Sequence, residues 1–222
     1  VMSIARDHFV RTRAAAEAGR AAADPAVPGP GLSQASAMLL SLRAHKAALK
    51  GIQSRVRKAE AKAGFLPDYA AYVDGVLAAD TGQQDTVLVT VMLWRIDAGQ
   101  YAAAMEIAGY ALRHDLAMPD GFSRDLPTAL VEELAEHAAA AAEPGAELCQ
   151  ALDTALDLAA ERDMPDEVRA KGLKALGGML QATDRERTER LWSEALSLDP
   201  KCGVKTQLER LRKAMATEPE TN

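Results

Sequence analysis

Between Val87 and Ile96 the chain is apolar at every position except Thr90 and Arg95. A segment that is apolar on nearly every side is buried in a protein core or in a bilayer. A bilayer needs ~20 apolar residues in a row, so this shorter run predicts a core element. Its β-branched residues Val87, Val89 and Val91 also suit a buried strand, and periodicity alone does not separate the two. The next residues favour a helix. Asp97-Ala98-Gly99 forms a helix stop, with Gly99 able to take the left-handed cap conformation. After this stop Tyr101, Ala104, Met105, Ala108, Ala111 and Leu112 recur at helical spacing. Residues 85–114 therefore predict a helical hairpin around which the rest is organised.

On the amino-terminal side, residues 2–23 are rich in Ala and Arg and predict a short helix. Residues 24–31, DPAVPGPG, cannot continue it, because three prolines and two glycines make a linker. The first segment is thus expected to be a tethered arm. Ser33 caps a helix running to about Ala63. Its inner positions are Met38, Leu42, His45, Leu49, Ile52, Val56, Ala59 and Ala63, whose spacings alternate 4 and 3 in the heptad pattern of a coiled-coil seam. Met38, Leu42, Leu49, Ile52 and Val56 are the candidates for oligomerisation.

After a break over residues 64–67, a short helix to Ala79 turns Tyr69, Tyr72, Val73 and Val76 inward. Asp125 with Pro127 starts a helix to about Ala142. Further helices are expected over residues 146–162, 165–182, 184–198 and 203–216. In the last, Val204, Leu208, Leu211 and Met215 form one stripe beside Lys205, Arg210, Arg212 and Lys213. Leu208, Leu211, Arg212 and Met215 suit docking to a partner, and equally a capping helix with a solvated face. The fold class is all-α: a basic N-terminal arm and a long heptad-patterned helix followed by a helical-hairpin body. Its expected divisions are 1–31, 32–66, 67–144 and 145–222.

Composition adds two things. Ala, Leu, Glu, Arg and Lys dominate and favour helix. Cys149 and Cys202 form no CxxC pair, so neither a disulfide framework nor a zinc site is indicated and a reducing cytosol suits the chain. No stretch has the pattern of a signal peptide or membrane span.

Charge changes the picture more. The net charge of −6 argues against a nucleic-acid partner, but its distribution argues for one. Residues 1–66 hold eleven basic residues (Arg6, Arg11, Arg13, Arg20, Arg43, Lys46, Lys50, Arg55, Arg57, Lys58 and Lys62) against four acidic ones, a balance of +7. The remainder holds fifteen basic and twenty-eight acidic residues, a balance of −13. Such asymmetry points to a basic arm for a polyanion and an acidic body. The plainer alternative is a solvated basic face on an ordinary amphipathic helix.

No enzymatic constellation emerges. His8, His45, His114 and His137 are scattered. His45 fits a polar register device or a satisfied core residue, and His114 complements a helix C-terminus. Pro165-Asp166-Glu167 with Lys171 has the letters of a PD-(D/E)xK nuclease site, but the spacing is wrong and the segment is helical. Metal-dependent cleavage needs converging carboxylates, and the acidic pairs here have ordinary surface-helix spacing. No HNH-like cluster occurs, and no GxxxxGK[ST] loop to cradle phosphates. No cofactor or metal site is expected.

One resemblance is specific. TVMLWRIDAGQYAAAMEIAGYALRH, followed by PDGFSRDLPTALVEELAEHA, resembles the phage small terminase subunit family, more narrowly the M-type subunit of temperate contractile-tailed phages. It runs from about Ser36 to about His137. The resemblance implies recognition of the packaging (cohesive-end) region of double-stranded phage DNA in the host cytoplasm. It also implies assembly into a homo-oligomeric ring and delivery of DNA to a large terminase subunit carrying the ATPase. Members of this family are sometimes described as the endonuclease subunit, so cleavage by the chain itself is a second expectation, and a helical scaffold without DNA affinity a third. The residues expected to meet DNA are Arg6, Arg11, Arg13, Arg43, Lys46, Lys50, Arg55, Arg57, Lys58 and Lys62.

Overall fold

The computed structural model describes residues 4–17 and 33–217 in full and the backbone of 18–23. The expected linker at 24–31 and the charge of Arg20 lie outside the described residues. Eleven α-helices and no strand occur among the described residues, and the fold is all-α. They form two compact units, Val1–Ser123 and Arg124–Asn222.

The first unit contains α1 (Ile4–Ala23), α2 (Gln34–Lys50), α3 (Arg55–Phe65), a 3₁₀ turn (Leu66–Tyr69), α4 (Ala70–Ala79), α5 (Thr86–Asp97) and α6 (Tyr101–Arg113). Helix α5 is the axis that the apolar run predicts: Val87, Leu88, Val89, Val91, Met92 and Ile96 are at most 1% exposed. Asp85 caps it, accepting hydrogen bonds from the backbone N–H groups of Val87 (2.9 Å) and Leu88 (3.0 Å). The Tyr72 hydroxyl donates to the other Asp85 carboxylate oxygen at 2.7 Å, tying α4 to this cap. Gly99, at φ +72°, turns the chain into α6, a conformation that costs glycine nothing.

Two expectations need correction here. The amino-terminal segment is not a free arm: α1 lies on α4. Gly75 makes this close approach, since a β-carbon there would stand 2.5 Å from the Arg11 carbonyl oxygen and 2.8 Å from Ala14 Cβ. Ala14 is buried, and Arg11 pairs with Asp74 at 3.0 Å. The long heptad helix is also two helices. Helix α2 stops at Lys50, and the Ser54 hydroxyl accepts from Arg57 N–H at 3.3 Å to start α3. Gly51 is a poor helix former, and a serine hydroxyl offers the backbone an alternative to helix continuation. The seam is used inside the unit. Leu42 and Leu49 are buried, Met38 and Ile52 half-buried, and Val56, beyond the break, is 68% exposed.

The second unit contains α7 (Leu126–Ala140), α8 (Ala146–Leu158), α9 (Asp166–Leu180), α10 (Arg185–Leu198) and α11 (Lys205–Thr217). Asp125 caps α7 as expected, accepting from Thr128 N–H at 3.1 Å. Leu130, Leu134, Leu152 and Leu176 form its interior, each burial stabilising by about 1.5–3 kcal/mol. Gly177 lets Trp192 approach α9, where the indole N–H donates to the Lys174 carbonyl at 3.1 Å. Helix α11 packs in the manner of a capping helix. Leu208 and Leu211 are turned inward with Val204 against Trp192, Met215 packs beside them, and Arg212 pairs with Glu189 and bonds to Ser193 Oγ. The stripe offered for docking is covered by its own chain.

Candidate nucleic-acid interface

The residues from 33 to 66 carry seven basic side chains and one acidic one, Glu60. Their helices arise from local causes. Ser33 caps α2 by accepting from Ser36 N–H at 3.0 Å, and Ser54 caps α3. Helical spacing places Arg43, Lys46 and Lys50 on one face of α2. On α3, Arg55 and Lys58 share one strip while Arg57 stands on the outward side beside Val56 and Glu60.

Arg43, Lys50, Arg55 and Arg57 are exposed, and Lys46 and Lys58 are half-buried. None of these six has an acidic partner among the described residues. Burial holds the Lys46 pKa below the usual lysine value, which leaves a poorly solvated cation that gains from a nearby anion. Lys62 differs: it pairs with Asp97 on α5 and ties α3 to the body. Helix α1 is also less available than its composition suggests. Arg11 pairs with Asp74, Arg13 pairs with Glu17 at 3.2 Å and lies over the Phe9 ring, and Arg6 alone of the three stands exposed without a partner among the described residues. The ten expected cations thus divide into seven open ones and three engaged in the fold.

The aromatic cluster behind these helices is not legible in the spacing of the sequence. The His45 ring stacks on Phe65 with centroids 4.0 Å apart and planes 3° from parallel. Its Nδ1 shares a 2.8 Å hydrogen bond with the Tyr69 hydroxyl, and Trp94 lies 6.5 Å away. Burial, with the charge of Asp68, pushes the Tyr69 phenol up to about 12. His45 is thus a half-buried, hydrogen-bonded histidine, in line with its reading as a satisfied core residue. His114 caps α6 and bonds Asp80 at 2.8 Å, beside the Arg113–Asp80 pair at 2.7 Å. The hydrogen bond from His114, then that from Arg113, holds the Asp80 carboxyl below the usual carboxylate range. No group of three His, Cys, Asp or Glu residues placed to hold a metal ion occurs among the described residues. No described helix is long and apolar enough to cross a membrane.

A helical chain with an open basic pair of helices defines a class that comparison narrows further. Residues 39–167 match the phage small terminase subunit family, and the chain belongs to that family. Its role is that of a small terminase subunit. It is 40% identical over 220 residues to the "Terminase, endonuclease subunit" of Escherichia phage P2, covering 98% of this chain and 87% of that relative. No solved structure matches it.

Proposed function

We propose that this subunit binds double-stranded DNA of the viral packaging region through α2 and α3. It does so as a ring-like homo-oligomer and presents the DNA to a large terminase subunit bearing the ATPase. The observation that carries this reading is the set Arg43, Lys46, Lys50, Arg55, Arg57 and Lys58, which is basic, adjacent and unpaired among the described residues. Cations left unpaired by the fold are available to phosphates, and each phosphate neutralised releases counterions. Weak contacts repeated around an oligomer gain through effective concentration. The large subunit docks elsewhere than on the apolar stripe of α11, which the chain itself covers.

The name of the phage P2 relative, an endonuclease subunit, favours a second reading, in which the chain also cleaves DNA at cohesive ends. One experiment separates the two. The purified protein is titrated with a cohesive-end duplex and with a scrambled duplex, across salt and with or without magnesium, and both shift and cutting are read. Salt-sensitive binding with intact DNA is the expected result. Magnesium-dependent cutting by the parent that is lost in a folded variant with Arg43, Lys46, Lys50 and Arg57 changed to Glu would establish the nuclease reading. Affinity and salt slope unchanged in that variant would overturn the basic-helix reading.

A further inference from the structure

Helix α3 carries Arg55, Arg57 and Lys58, yet it has no buried residue of its own. Its half-buried Ala59, Ala61, Ala63 and Phe65 give it only a shallow apolar face. Two of its side chains, Lys62 and Phe65, tie it to its neighbours, and Phe65 also lies 6.1 Å from the Trp94 ring of α5. Lys62 pairs with Asp97 of α5. Phe65, the last residue of the helix, stacks flat on His45 of α2 at 4.0 Å.

His45 is itself fixed from behind. Its Nδ1 is bonded to the Tyr69 hydroxyl, its Nε2 lies 3.8 Å from Asp68, and Tyr69 and Trp94 are both buried. One imidazole thus bridges α2, the end of α3 and the 3₁₀ turn, and packs toward α5 through Trp94. It sits between Arg43 and Lys46 in sequence, on the inward side of the helix that presents them.

We infer that His45 is a positioning residue for the DNA face: its ring locks α3 to α2 through Phe65, so that the cations of both helices engage one duplex together. The inference rests on the DNA-binding reading above. It goes further in naming what makes two separate basic helices act as one site. Two sets of cations held rigidly bind as a single multivalent surface, and two sets that move independently lose part of that gain.

The test uses the full chain and a mixed-sequence DNA duplex, with binding followed by fluorescence anisotropy across a salt series. His45→Ala and Phe65→Ala are each expected to lower affinity about tenfold. They should also reduce the salt slope toward that of R55Q/R57Q. His45→Phe, which keeps a ring for the stack, is expected to restore affinity to within about twofold of the parent. A residue that merely supported the fold would lower the melting temperature and leave the salt slope of the folded protein unchanged, and that result overturns the proposal. So does an H45F protein that binds no better than H45A.

A second readout needs no DNA. Nitroxide labels at exposed Ala47 and Glu60, in a background with Cys149 and Cys202 changed to Ser, report the distance between α2 and α3 by pulsed electron resonance. The distribution should be narrow in the parent and broad in H45A, and equal widths would overturn the lock. If the parent and R43Q/K50Q/R55Q/R57Q bind DNA equally, the DNA-binding reading fails, while the distance measurement still decides whether His45 joins the helices.

Discussion

The two units use the same residue types for opposite ends. In the second unit, Arg187 pairs with Asp153, Arg212 with Glu189, and Lys171 with Glu136 at 2.9 Å, while Arg169 donates to the carbonyls of Ala159 and Arg162. The hydrogen bond from Arg212 holds the Glu189 carboxyl below its ordinary range, and the bond to Asp153 raises the Arg187 pKa. These cations staple helices to one another. In α2 and α3 of the first unit, six cations have no such partner among the described residues. A basic helix becomes a candidate surface for a polyanion through what its own fold leaves unanswered, and composition alone does not say which case applies.

The largest effect that sharpens this contrast concerns α11. Leu208→Ala is expected to cost about 2–5 kcal/mol of stability, because the side chain is 2% exposed against Trp192. Leu40→Ala, at a position 51% exposed on α2, should stay within about 0.5 kcal/mol. Urea unfolding of both variants checks the pair, and a silent L208A would make α11 a partner surface again.

Next comes charge. Changing Arg43, Lys50, Arg55 and Arg57 to Gln should lower duplex affinity at least about a hundredfold and flatten the salt slope by about 0.9 per lost contact. R187Q/R212Q should leave DNA binding within about twofold and lower stability by roughly 1 kcal/mol, given that both pairs are partly exposed. Anisotropy and melting on the same preparations test both halves, and equal loss of binding in the two sets would break the comparison.

Glycine provides a finer contrast. At Gly75 an added methyl meets the Arg11 backbone carbonyl, which cannot rotate away, whereas at Gly177 it meets the Trp192 ring at 2.5 Å. Gly75→Ala should cost about 1–3 kcal/mol and expose α1 to limited proteolysis. In Gly177→Ala the damage should appear instead as a change in tryptophan fluorescence.

The smallest effect is acid sensitivity. Asp80 and Glu189 both have lowered folded pKa values. Each stabilises the fold fully above the ordinary carboxylate pKa of about 4, and that contribution is lost as pH falls through the lowered folded value. Asp80→Asn should therefore flatten the decline of melting temperature on acidification relative to the parent.

Helix ends are readable in the sequence because their causes are local. Gly99 and Asp125 act on neighbours within a few residues, and each does what its spacing implies. The break between α2 and α3 is hidden because the 4–3 spacing runs on through Ile52 and Val56, and only Gly51 with Ser54 after it signals the stop. The docking of α1 is hidden because Ala14 and Gly75 are small and carry no periodic mark. Of the candidate interface, residue identity is legible and availability is not. Lys62 and Arg11 are indistinguishable from Lys50 and Arg43 until Asp97 and Asp74 are brought beside them.

The light fastening of α3 also has a meaning in time. A helix with no fully buried residue, tied by a salt bridge and the ring contacts of Phe65, opens at lower free energy than a core helix such as α5. Its amide protons will trade for deuterium first and those of α5 last. Contact with a duplex should slow that exchange selectively in α3, so the least protected helix of the first unit becomes its most sensitive reporter of occupancy.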